Sequence, residues 1–193
     1  MDPLARLFGS PARLKLLRLF VFNDDTAFTV ADAALRARVT KDATRKELSS
    51  LAVAGVLKKR SAQGSPGYAA DTRFTHYEPL KLFLRSTTDV SDAAIVLALK
   101  KAGTLKLVVL SGLFTGLAES KVDLLVVGDK LDEKALTNAV HAIEAELGRE
   151  LRFASFSTEQ FRYRLGVYDR LLRDLFDFPH RVVLDRVGLA ARK

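Results

Sequence analysis

The sequence predicts an α+β chain in two parts, and three observations carry that prediction. Residues 1–86 read as helical stretches followed by two short strands, whereas residues 92–193 alternate strand and helix. The charge is divided the same way. Residues 1–86 hold 15 Lys and Arg against 8 Asp and Glu, while residues 87–193 hold 16 against 15. A length of 193 residues suffices for two small domains with separate cores, here 1–86 and 92–193.

Composition excludes several function classes. With 48% hydrophobic and 28% charged residues the chain reads as globular, and no stretch approaches the ~20 apolar residues of a membrane span. The opening MDPLARLFGSPARLKLL lacks the pattern of a secretory signal, so a cytoplasmic protein without a membrane partner is expected. The absence of cysteine excludes disulfides, thiolate metal sites and thiol nucleophiles. His76, His141 and His180 are far apart and form no HExxH pair, so no metal or cofactor is expected from them.

The elements of the first part follow from caps and spacing. Ser10-Pro11 opens a helix whose Leu14, Leu17 and Phe20 or Val21 recur at helical spacing, and Asn23-Asp24-Asp25 breaks it. Thr29 caps a short helix, VADAALRAR. Thr40 caps a third, KDATRKELSSLAVAG, which Gly55 ends and in which Leu48, Leu51 and Val56 face inward. The strand VLKKR, a turn SAQGSPG with its tip over Gln63 to Gly67, and a second strand YAADTRFTH complete the part.

Three helices and a two-stranded ribbon, in that order, are the order of a winged helix-turn-helix, whose third helix enters the major groove of DNA. Lys41, Thr44, Arg45, Lys46 and Ser49 are expected on the polar face of that helix, and Lys58, Lys59 and Arg60 on the wing. The excess positive charge in this half suits a polyanion such as double-stranded DNA. GSPARLKLLRLF, LSSLAVAGVLKKR and the Gly-rich turn together resemble bacterial and archaeal winged-helix transcriptional regulators over roughly residues 6–80.

After the ribbon, PLKLFLR forms a short helix and RSTTDVSD a joint to the second part. A helix capped by Ser91 or Asp92 leads into the strands LKLVVL and VDLLVVG. A helix with Leu136, Val140, Ile143 and Leu147 in its apolar stripe comes next, then a strand RELRFASF, a helix begun at Ser157, and another over YDRLLRDLFDF. The aromatic-basic run Phe153, Phe156, Phe161, Arg162, Tyr163, Arg164, Tyr168 could stack on bases, but Phe161, Leu165 and Tyr168 at helical spacing more simply form one packing face.

SGLFTG, KVDLLVVGD, GRELRFASFSTEQFRYRL and DFPHRVVL resemble the minimal nucleotidyltransferase fold, a small α/β domain with a mixed sheet, over roughly residues 95–188. The resemblance implies a glycine-serine turn for nucleotide phosphates and three carboxylates for two Mg²⁺ ions. Asp123 matches the second carboxylate; Lys121 stands at the first, Arg152 near the third, and Leu113 replaces the serine. A cluster of charge about −3 becomes one of about +1, which repels Mg²⁺, so catalysis and a metal cofactor are not expected. An anion pocket of Gly112, Gly116, Lys121, Asp123 and Arg152 for a nucleotide or other small anion is one expectation. The other is that Lys121 pairs with Asp123 or Glu119 and the domain scaffolds or self-associates. The whole reads as a DNA-binding transcriptional regulator, expected as a homodimer on a symmetric operator. Two other readings stay open: a nucleotidyltransferase using Glu119, Asp129 or Glu150 beside Asp123, and an antitoxin-like partner of a small helical toxin.

Overall fold

Ser10 and Pro11 open the helix on which the first part of the chain is built. In the computed structural model, which describes residues 3–116 and 120–189, a short helix α1 (Pro3–Leu7) precedes α2 (Pro11–Phe22). Ser10 Oγ accepts from the Arg13 amide at 3.2 Å. Pro11 fills a position whose missing N–H is harmless. The buried surface of α2 is wider than one stripe: Leu16 and Leu19 join Leu14, Leu17, Phe20 and Val21, each at most 3% exposed.

The strand β1 (Phe28–Thr29), α3 (Val30–Ala37) and α4 (Lys41–Val53) supply further residues to this core. Thr29 and Asp32 form a reciprocal capping box, with Thr29 Oγ1 accepting from the Asp32 amide at 3.1 Å. Thr40 caps α4 as its position suggests. β2 (Leu57–Ala62) and β3 (Ser65–Ala70) pair antiparallel, and β1 adds to the other edge of β3.

The ribbon departs from expectation at both ends of its second strand. Gln63 and Gly64 both have positive φ, 50° and 79°, and make a two-residue turn whose twist suits paired strands. Ser65, Pro66 and Gly67, expected in a longer tip, therefore already lie in β3. Residues 71–76, expected as strand, turn instead, because Asp71 accepts from the Arg73 amide at 3.3 Å and folds the chain back.

After that turn comes α5 (Tyr77–Thr87). The Tyr77 hydroxyl contacts Asp24 Oδ2 at 2.9 Å and the Val21 carbonyl at 3.2 Å, and Lys81 Nζ donates to Asp24 at 2.6 Å. The Lys81 hydrogen bond is the main reason the Asp24 carboxyl sits below its usual pKa; burial opposes it, and the Tyr77 hydroxyl adds to the lowering.

The chain divides into two compact units, residues 1–90 with 141–149, and residues 91–140 with 150–193. Residues 141–149 hold the C-terminal part of α7 (Glu133–Leu147), and position in the sequence does not anticipate their place in the first unit. Arg18, only 3% exposed, donates to the Glu146 carbonyl at 3.1 Å, and Asn23 Nδ2 donates to the Gly148 carbonyl at 2.8 Å.

The second unit opens with α6 (Asp92–Leu99), capped by Ser91. Its sheet comprises β4 (Thr104–Leu110), β5 (Leu124–Asp129), β6 (Phe153–Phe156) and β7 (Arg181–Asp185), in the order β6-β5-β4-β7. β5 and β6 are parallel and the other pairs antiparallel, so the sheet is mixed and the chain is α+β. Leu107, Val109, Leu125 and Val127 pack with Phe161, Leu172 and Leu175 of α8 (Thr158–Gly166) and α9 (Arg170–Asp177). The alternate residues Val108, Leu110, Leu124 and Val126 are equally inaccessible, which is why these strands read as unbroken apolar runs.

Tyr168 leaves the expected packing face. α8 ends at Gly166, and at φ 55° Tyr168 lies beyond the helical period, 82% exposed, while Phe161 stays buried. Among the described residues no helix is long and apolar enough to cross a membrane.

Replacing Asp24 by Asn should lower the stability of the first unit by about 1–2 kcal/mol near neutral pH. A carboxyl with a lowered native pKa stabilises fully above its unfolded value of about 3.9 and loses that effect as pH falls through the native value. Urea unfolding should thus separate the variant from the wild type at pH 7 and bring the two together once the pH has fallen below that lowered native value.

Candidate functional site

Packing decides which residues of α4 remain for a partner. Thr44, Glu47, Leu48 and Leu51 fall on one side at helical spacing and are all buried, at 0%, 7%, 0% and 6% exposure. Lys41, Asp42, Arg45, Lys46 and Ser49 are exposed on the other side. Thr44, expected among the outward polar residues, is therefore a core residue, one position off the exposed stripe. Its hydroxyl oxygen is buried without a hydrogen-bond partner. Glu47, one helical turn along, accepts from Arg13 Nε at 2.8 Å.

The ribbon adds Lys59 and Arg60, both exposed. Lys58 differs: it is half-buried, and its Nζ lies 3.4 Å from Asp71. Arg73 also pairs with Asp71, at 3.2 Å, and its hydrogen bonds are the chief reason the Asp71 carboxyl falls to about 2. Arg45, Lys59 and Arg60 come together on one open groove of about 720 Å³, whose walls include Ser61, Ser65 and Tyr68. Arg45 Nη1 is 3.0 Å from Asp42, both largely exposed at 66% and 95%. Such a pair is worth little in water, so the guanidinium can exchange partners.

In the second unit the Gly112 turn and Asp123 do meet, but in an internal arrangement. The Asp123 side chain is 2% exposed. Its Oδ1 accepts from the Leu113 amide at 2.8 Å and Arg152 Nη2 at 3.1 Å. Its Oδ2 accepts from the Arg152 amide at 2.9 Å and Nε at 3.0 Å. Gly112 permits this approach: at φ 51° a Cβ there would run into Asp123 Oδ1. The hydrogen bond to Asp123 raises the Arg152 pKa further.

A carboxylate with both oxygens so engaged does not fit a role as metal ligand, and its guanidinium partner adds a charge that repels a cation. Lys121 stands apart, paired with Asp174 at 2.9 Å rather than with Asp123. A Cβ at Gly116 would meet nothing within 4 Å among the described residues, so this glycine is not in close approach to Asp123 as Gly112 is. Asp129 accepts from the Thr158 amide at 3.3 Å, and Glu119 lies outside the described residues. Among the described residues no group of three His, Cys, Asp or Glu side chains is placed to hold a metal ion.

Sequence reasoning missed Asp174 as the partner of Lys121 and Asp71 as the partner of Lys58. The first pair is 53 residues apart, so no local spacing signals it. Asp71 reads from the sequence as a residue inside the ribbon's second strand, which conceals it as the partner of Lys58. Comparison with protein-family models, curated proteins and solved structures yields no match for this chain.

Thr44→Val keeps the shape and removes an unpaired buried hydroxyl, so it should leave stability unchanged or raise it by up to about 1 kcal/mol in urea unfolding. Arg152→Ala and Asp123→Ala should each destabilise the second unit, the first by about 1–3 kcal/mol because Arg152 is half exposed. In a double-mutant cycle the pair should lose less together than the sum of the two, by at least ~1 kcal/mol.

Proposed function

We propose that the first unit is a winged helix-turn-helix that binds double-stranded DNA and that the protein is a transcriptional regulator. The observation that carries this reading is the groove on which Arg45 of α4 meets Lys59 and Arg60 of the ribbon. An α-helix about 10–12 Å across fits a major groove of ~12 Å, and a ribbon beside it meets the adjacent backbone. Arg45 is then the residue for a guanine edge, with Lys41, Lys46 and Ser49 on the same exposed side of the helix. Lys59 and Arg60 contact phosphate. Lys58, held by Asp71, contributes less, and Thr44 contributes nothing directly.

The second unit, in this reading, is a nucleotidyltransferase-like domain without the metal chemistry, used for ligand sensing or self-association. The Arg152–Asp123 pair supports the loss of that chemistry, because it puts a guanidinium where a metal ion would have to bind. The same pairing weighs against a nucleotide site at Gly112, since the Leu113 amide and Arg152 both donate to Asp123. A homodimer places two recognition helices on one face of a symmetric operator.

Mutation separates the roles. Arg45→Ala should weaken binding to a preferred duplex by about tenfold or more and relax the preference at one base pair. Lys59→Ala should weaken all duplexes alike and reduce the slope of log affinity against log salt by about one. Thr44→Val should change neither. A duplex affinity that Arg45→Ala and Lys59→Ala leave at the wild-type value would contradict this use of the groove.

A further inference from the structure

We propose that the second unit carries a binding site for a small amphiphilic anion, an apolar body bearing one carboxylate or sulfonate. The proposal does not depend on the duplex-binding reading and involves none of its residues. A cavity of about 540 Å³ lies among the end of α8, α9 and β7. At about 30 Å³ per heavy atom it has room for roughly 15–20 of them, the size of a small-molecule ligand. Leu165, Leu172, Phe176 and Val182 line it. Leu172 is 1% exposed and belongs to the sheet core, so this wall is backed by packed protein.

The charged groups on the cavity favour an anion. They are Asp169 and Arg173, and the imidazole of His180 stands beside them. Asp169 is engaged elsewhere: its Oδ1 accepts from the Leu171 and Leu172 amides at 3.0 and 3.3 Å, and its Oδ2 from Arg164 Nη1 at 2.8 Å. It caps α9 and is neutralised there. The His180 Nδ1 lies 2.8 Å from the Phe178 carbonyl, which can only accept, so Nδ1 carries the proton and Nε2 offers a lone pair, which donates nothing to an anionic head group. The edge-on contact of its ring with Phe176, centroids 5.3 Å apart, holds the imidazole in place. Arg173 supplies a permanent cation. Burial of the apolar body provides affinity, and Arg173 selects the head group.

The test uses the full chain and anilinonaphthalene sulfonate as a fluorescent probe, displaced in turn by decanoate, decanol and decyltrimethylammonium. One saturable site per chain is expected, with decanoate displacing the probe at least about tenfold more effectively than the other two. Arg173→Ala should weaken decanoate about tenfold and leave decanol unchanged. Gly166 also lines the cavity; its φ is not left-handed, and a Cβ there meets no atom within 4 Å. Gly166→Phe should therefore fill the space, keep the thermal transition and abolish probe binding. No saturable binding up to about 1 mM would overturn the proposal. Equal displacement by all three head groups, or wild-type binding by Gly166→Phe, would do the same.

Discussion

The candidate interface depends on a packing constraint inside α4. A helix that buries Thr44, Leu48 and Leu51 can offer a partner only the opposite face, and that face carries Lys41, Arg45, Lys46 and Ser49. The helix is also set by its ends: Thr40 caps it, and beyond Gly55 the chain enters the ribbon. β1 fixes the ribbon in turn by pairing with β3, so the basic side chains of β2 share a groove with Arg45. Apolar burial supplies the energy of this arrangement, and the surface cations ride on it. Changes at Arg45 or Lys59 are therefore expected to alter binding at nearly constant stability.

In the second unit an electrostatic constraint takes the corresponding place. Asp123 is buried just before β5, where an unpaired carboxylate would be costly. In the nucleotidyltransferase resemblance a metal ion offsets such burial. Here the Leu113 amide and three nitrogens of Arg152 do so. Gly112 stands where a side chain would strike the carboxylate, and the charge that balances it comes from the protein itself. A ligand role for this unit therefore finds better support in the apolar cavity beside α9 than at the Gly112 turn.

Much of the fold was legible because its signals are local. Ser10, Thr29, Thr40, Ser91 and Ser157 each cap the helix that follows, and the apolar runs at 104–110 and 124–129 form the central strands. What the sequence hid depends on distant partners or on single positive-φ residues. β1 is two residues long and exists only through β3; β7 is a short run that pairs with a strand some 75 positions earlier. The turn at Gln63-Gly64 shifted the start of β3, and the turn at Tyr168 removed that ring from its expected face. At the candidate interface, charge pattern identified Arg45, Lys59 and Arg60 as exposed cations. Thr44 was misplaced because a threonine reads as polar, although a helix with Leu48 and Leu51 inside has 44 on the same side.

The most direct test is the anisotropy of a labelled duplex drawn from the DNA upstream of this protein's own reading frame, against a scrambled duplex of equal composition, at about 150 mM salt. Binding to the upstream duplex should be at least ~100-fold tighter than to the scrambled one. Equal affinity for the two, falling together as salt rises, would reduce the groove to a generic basic surface and contradict a regulator that reads sequence at that operator.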